Sequence, residues 1–76
     1  MKEKLYNLLA EILEMESSEI DNSTGVGNCD NWDSISLLMI VSELEEVFEI
    51  SFEPNEIESI TNVEIITNLI NKKRSN

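Results

Sequence analysis

Trp32-Asp33-Ser34-Ile35-Ser36-Leu37-Leu38-Met39-Ile40-Val41-Ser42-Glu43-Leu44-Glu45-Glu46-Val47-Phe48 decides how this chain reads. The stretch predicts a helix from Ser34 to about Phe48 or Glu49, with Asp33 as its N-cap. Leu37, Val41, Leu44 and Phe48 fall on one stripe at helical spacing, widened by Ile40 and Val47. Ile35, Leu38 and Met39 lie off that stripe, near the N-terminal end. Ser42, Glu45, Glu46 and Glu49 continue this second face. The front half is therefore apolar nearly all round, more than a two-layer bundle can bury.

On the N-terminal side, Lys4 to Met15 reads as an amphipathic helix with Leu5, Leu8, Leu9, Ile12 and Leu13 on its apolar face. Periodicity is lost from Glu16 to Asn31. Ser, Asp, Asn and Gly crowd that segment, which predicts a long loop anchored to the core by Ile20 and Val26. On the C-terminal side, Ile50-Ser51-Phe52 is a short extended link. Pro54 suits the first turn of a brief helix, about Pro54 to Ser59, with Ile57 and Ile60 as anchors. Thr61 and Glu64 match a capping box for a last helix running to about Asn71. Val63, Ile66 and Ile70 share one side of it, with Ile65 and Leu69 beside them. Lys72, Lys73 and Arg74 suit its C-terminal dipole. No alternating strand pattern occurs. The expected fold is all-α: a small bundle of three main helices and one short helix, with the long loop between the first two.

Seventy-six residues make one small domain with a modest core, spanning 1–76. A single cysteine, Cys29, allows no internal disulfide. Small domains from oxidising compartments are usually stapled by several, so a reducing, cytoplasmic setting is expected. No apolar run suggests a signal peptide or a membrane span. The net charge is −11, from five Lys and Arg against sixteen Asp and Glu. All five bases (Lys2, Lys4, Lys72, Lys73, Arg74) sit at the ends, which leaves the body without bases for internal salt bridges. Such a field repels nucleic acid and anionic lipid and attracts proteins with basic patches.

Ser34 is the residue whose chemistry stands out. The chain contains no histidine, so Ser-His and Cys-His nucleophiles and the usual zinc sites are excluded. Paired carboxylates have no cleft to work in. The Asp- and Asn-rich loop is not an EF-hand. Starting at Asp21 puts Val26 sixth and Trp32 twelfth, and starting at Asn22 puts Asp33 twelfth, where glycine and glutamate are required. With Asp33 as the cap, the Ser34 hydroxyl is free to point outward. A phosphodiester there would meet backbone N–H groups and the positive end of the helix dipole. Because the surroundings are acidic, a covalent link holds a phosphate better than simple anion binding does. Trp32 reads as an aromatic lid on the core, and Cys29 as an inert loop thiol with no basic neighbour.

Asp33-Ser34-Ile35 resembles the Asp-Ser-Leu of acyl carrier proteins. Leu44-Glu45-Glu46-Val47-Phe48 resembles the Leu-Glu-Glu-x-Phe that closes that family's second helix. Ile60-Thr61-Asn62-Val63 resembles the Ile-Thr-Thr-Val that opens its last one. The resemblance runs from about Leu5 to Ile70. It implies a 4'-phosphopantetheine arm moved from coenzyme A to Ser34 by a phosphopantetheinyl transferase with magnesium, with Asp33 as cap and attachment aid. The arm's thiol would hold an acyl or aminoacyl group as a thioester. The carrier would not be an enzyme and would bind no metal of its own. It would present the group, as a monomer, to acyl-loading and acyl-transferring enzymes with basic patches. Ile35, Leu38 and Met39 would be the apolar contacts, and Glu45, Glu46 and Glu49 the charged ones.

The chain departs from fatty-acid carriers at five places, the mildest being Ile35 for the leucine. Ser36 and Met39 stand where acids are usual, Trp32 replaces a small residue, and Gly25-Val26-Gly27-Asn28-Cys29 replaces the usual loop. These departures resemble stand-alone carriers of specialised pathways, such as polyketide, nonribosomal peptide or surface-glycan biosynthesis. The alternative is an acidic helical adaptor that binds partners through the same helix and is never modified.

Overall fold

A computed structural model describes residues 2–74. The elements are α1 (Lys2–Leu13), a 3-10 turn (Ser17–Glu19), α2 (Ser34–Phe48), α3 (Pro54–Ser59) and α4 (Val63–Arg74). No strand occurs among the described residues, and the all-α expectation holds. α1 packs against α2. Leu5, Leu9 and Leu13 of α1, Ile40, Val41, Leu44 and Phe48 of α2, and Val63, Ile66 and Ile70 of α4 fill the core. Each set follows the i, i+3, i+4 spacing that gathers side chains on one helix face. Leu37 and Val47, expected in the buried stripe of α2, are only half-buried.

The ends of α1 and α2 close without glycine. Glu14 and Glu49 both adopt φ 55°, the left-handed conformation that usually calls for glycine. Met15 N–H donates to Ala10 O at 3.0 Å, and Ile50 N–H to Glu45 O at 3.2 Å. Both ends are therefore Schellman closures, in which the next apolar residue folds back onto the core. Met15 and Ile50 pack there half-buried. This stops α1 at Leu13 instead of carrying it to Met15, and α1 begins at Lys2 instead of Lys4.

The long loop is tightly hydrogen-bonded. Asp21 Oδ1 accepts from Ser23 N–H at 2.9 Å and from Ser23 Oγ at 2.6 Å. These bonds, led by the Ser23 hydroxyl, hold the Asp21 carboxyl below its usual value. Asn28 accepts from Gly25 N–H at 2.8 Å and donates to Ser23 O at 2.7 Å. The loop is also pinned to the start of α4: Val26 N–H donates to Thr61 O, and Val63 N–H to Thr24 O, each at 2.9 Å. Gly25 lies against this seam so closely that a Cβ would sit 2.1 Å from Thr61 O.

Three expectations are corrected here. Ile20 is buried as an anchor, but Val26 is 64% exposed, because its backbone and not its side chain holds the loop. The cap of α4 is Asn62, whose Oδ1 accepts from Ile65 N–H at 3.0 Å. Thr61 and Glu64 do not form the expected box; their backbones bond the loop instead. Finally, the terminal bases fold back onto the acidic body. Lys73 Nζ pairs with Glu56 Oε1 at 2.7 Å and lies over the Phe52 ring, and Arg74 lies over Phe48.

Candidate functional site at the start of α2

Asp33 is extended (φ −132°, ψ −175°) and caps α2. Its Oδ1 accepts from Ser36 N–H at 2.9 Å, while its own N–H donates to Ser36 Oγ at 2.9 Å. This is a reciprocal capping box in which serine takes the position usually held by Glu or Gln. The Ser36 hydroxyl also donates to Asn31 O. Asn31 in turn sends its side-chain Nδ2–H to Leu13 O at 2.7 Å. A continuous polar chain thus ties the end of α1 to the start of α2. The bonds from Ser36, backbone first and hydroxyl second, hold the Asp33 carboxyl below its usual value.

Ser36 is buried by this network, and Ser34 is exposed. Every side-chain bond of the cap is made by Asp33 and Ser36, and none by the Ser34 hydroxyl. The first turn of α2 carries no acidic residue. A phosphodiester on Ser34 would lie at the positive end of α2, beside an Asp33 carboxylate whose charge is engaged by the Ser36 N–H. The residues present therefore fit a covalently attached phosphate group. The sequence pointed to Ser34 but missed Ser36, because a serine three residues after the cap is a weaker signal than Glu or Gln.

Beyond Ser34 the outward face of α2 is apolar, with Ile35 72%, Leu38 61% and Met39 51% exposed. On the same face, Glu46 and Glu49 are exposed. Glu45 stands at its edge, half-buried, and its Oε2 accepts from Phe52 N–H at 2.9 Å. One carboxylate oxygen of Glu45 is thus engaged within the fold. Beside Met39, an open groove of about 540 Å³ between α1 and α2 is lined by Leu8, Ile12, Glu11, Glu14 and Glu43. Among the described residues no helix is long and apolar enough to cross a membrane, and no three metal-ligating side chains cluster.

The bundle thus presents an exposed helix-start serine beside an apolar helix face. Residues 3–70 match the model of the phosphopantetheine attachment site family. The chain belongs to that family. It is a carrier, with a phosphopantetheine prosthetic group, and not a catalyst. The fold is similar to that of the holo acyl carrier protein from Geobacter metallireducens, with a TM-score of 0.85 and 24% identity over 97% of this chain and 85% of that one. No curated protein matches the chain. Carriers of this family work with phosphopantetheinyl transferases and acyl-handling enzymes.

Proposed function

We propose that Ser34 carries the phosphopantetheine arm and that α2 presents the loaded arm to partner enzymes. The observation that supports this best is the contrast within the capping box. Ser36 is buried and fully bonded, whereas the Ser34 hydroxyl, two residues away, is exposed and unbonded. The bound group supplies a thiol that holds an acyl or aminoacyl group as a thioester. Ser34 anchors that group, and Asp33 fixes the turn that aims Ser34 outward. Asp33 would also hold the transferase's magnesium during the attachment step.

Ile35, Leu38 and Met39 form the apolar contact with partners. Glu46, Glu49 and the free oxygen of Glu45 steer partners that carry basic patches. The chain works as one domain, a monomer, in the cytoplasm. Its cargo belongs to a specialised pathway and not to core fatty-acid synthesis, since Ser36 and Met39 remove the acids that fatty-acid carriers place after the serine.

Incubation with a promiscuous transferase, coenzyme A and magnesium tests the assignment. One phosphopantetheine adduct on the parent and none on Ser34→Ala supports it. An unchanged mass for a chain that still binds carrier-handling enzymes would point to the unmodified adaptor.

A further inference from the structure

The orphaned donor at Trp32 carries the inference. Trp32 is 7% exposed, and its Nε1 is fully buried with no hydrogen-bond partner among the described residues. A buried indole N–H usually finds a partner, and leaving it unpaired is destabilising. A lid on the core explains the ring but not the N–H, because phenylalanine would cover the same core without an unpaired donor. Solvent does not reach this atom, and its polar neighbours in sequence are committed elsewhere. Asp33 is bonded to Ser36, and the Asn31 side chain to Leu13 O.

Trp32 is also two residues from Ser34, so the two Cα atoms lie within about 7 Å of each other whatever the backbone does. A group carried on Ser34 is therefore tethered next to Trp32. We propose that the Trp32 indole N–H is the donor to a carbonyl oxygen of the arm or of the group it bears. This rests on the assignment of the arm to Ser34. The carbonyl comes either from the arm and its thioester or from an oxygenated acyl chain. A plain alkyl segment in the same place leaves the donor unpaired.

Trp32 is the sole tryptophan, so its indole N–H gives one unambiguous NMR resonance. Three forms are compared with the unmodified chain: the arm alone, the hexanoyl form and the 3-oxohexanoyl form, each made with the matching coenzyme A thioester and verified by intact mass. The inference expects the indole proton to move downfield and to exchange more slowly with solvent on loading. A shift with the arm alone assigns the acceptor to an arm carbonyl. A shift in both acyl forms but not with the arm alone assigns it to the thioester. A shift only in the 3-oxohexanoyl form assigns it to the cargo. In each of these cases Trp32→Phe abolishes the Tm gain that the bonded form gives the parent. An unchanged resonance in all three mass-verified forms overturns the inference and leaves the Ser34 assignment standing. Absence of any adduct overturns both.

Discussion

Asp33 and Ser36 each donate a backbone N–H to the other's side chain across the first turn of α2, both at 2.9 Å. The pair fixes the turn on which Ser34 stands, yet neither residue is the one left free to react. Cap removal therefore separates stability from modification. Ser36→Ala loses the reciprocal bond and the bond to Asn31 O, and destabilises the chain by about 1–2 kcal/mol. Ser34→Ala changes stability by less than about 0.5 kcal/mol, since its hydroxyl bonds to nothing in the fold. Urea unfolding of the two variants checks both values.

The acid limb of stability carries the signature of the same cap. The Asp33 carboxyl is held below its ordinary value by Ser36, and Glu56 by the Glu53 backbone N–H and then by Lys73. A group with a depressed folded pKa contributes stability that is present above its unfolded value and is lost as pH falls through the folded one. An unstructured aspartate titrates at about 3.9. Asp33→Asn keeps an acceptor that does not titrate. The parent therefore loses its advantage over Asp33→Asn as pH falls below the ordinary aspartate value of about 3.9, which paired unfolding curves down to strongly acid pH would reveal. A constant gap across that range would contradict the cap's ionic contribution.

Gly25 is required by approach and not by dihedral angle. In Gly25→Ala the new Cβ meets Thr61 O at 2.1 Å and the Asn62 Cα at 2.7 Å, so the loop must leave the start of α4. A loss of about 1–3 kcal/mol is expected, as for other overpacked sites. Amide exchange at Val26 and Val63, whose N–H groups make the seam, should rise with it.

The outward face of α2 predicts the opposite pattern. Ile35→Ser and Leu38→Ser remove exposed apolar side chains, so stability stays within about 0.5 kcal/mol. Modification by the transferase should slow about tenfold, the worth of one apolar contact of about 1.4 kcal/mol at an interface. The same reaction should slow further as salt rises, because the acidic face steers encounter.

The buried stripes of α1, α2 and α4 were legible because period 3.6 fixes a helix face whatever its partner is. The exposure of Ser34 was legible because Asp33 is a strong cap and frees its neighbour. The exits of α1 and α2 were not, because Glu14 and Glu49 take a conformation that only glycine signals in sequence. Apolar Met15 and Ile50 closing over the core offset that strain. Val26 was misplaced because a loop can be anchored by its amides, which a hydropathy reading cannot see. Asn62 displaced Thr61 as cap because the Thr61 carbonyl is engaged by Val26 N–H, a long-range contact. The return of Lys73 to Glu56 was hidden for the same reason, since the residues are far apart in sequence.

The central claim is that the arm sits on Ser34 and not on its buried neighbour Ser36. Fragmentation of the modified chain by tandem mass spectrometry, with intact masses of Ser34→Ala and Ser36→Ala beside it, tests this most directly. The account predicts the phosphopantetheine on Ser34 in the parent, an adduct retained by Ser36→Ala and none on Ser34→Ala. An adduct mapped to Ser36, or one surviving in Ser34→Ala, would contradict it.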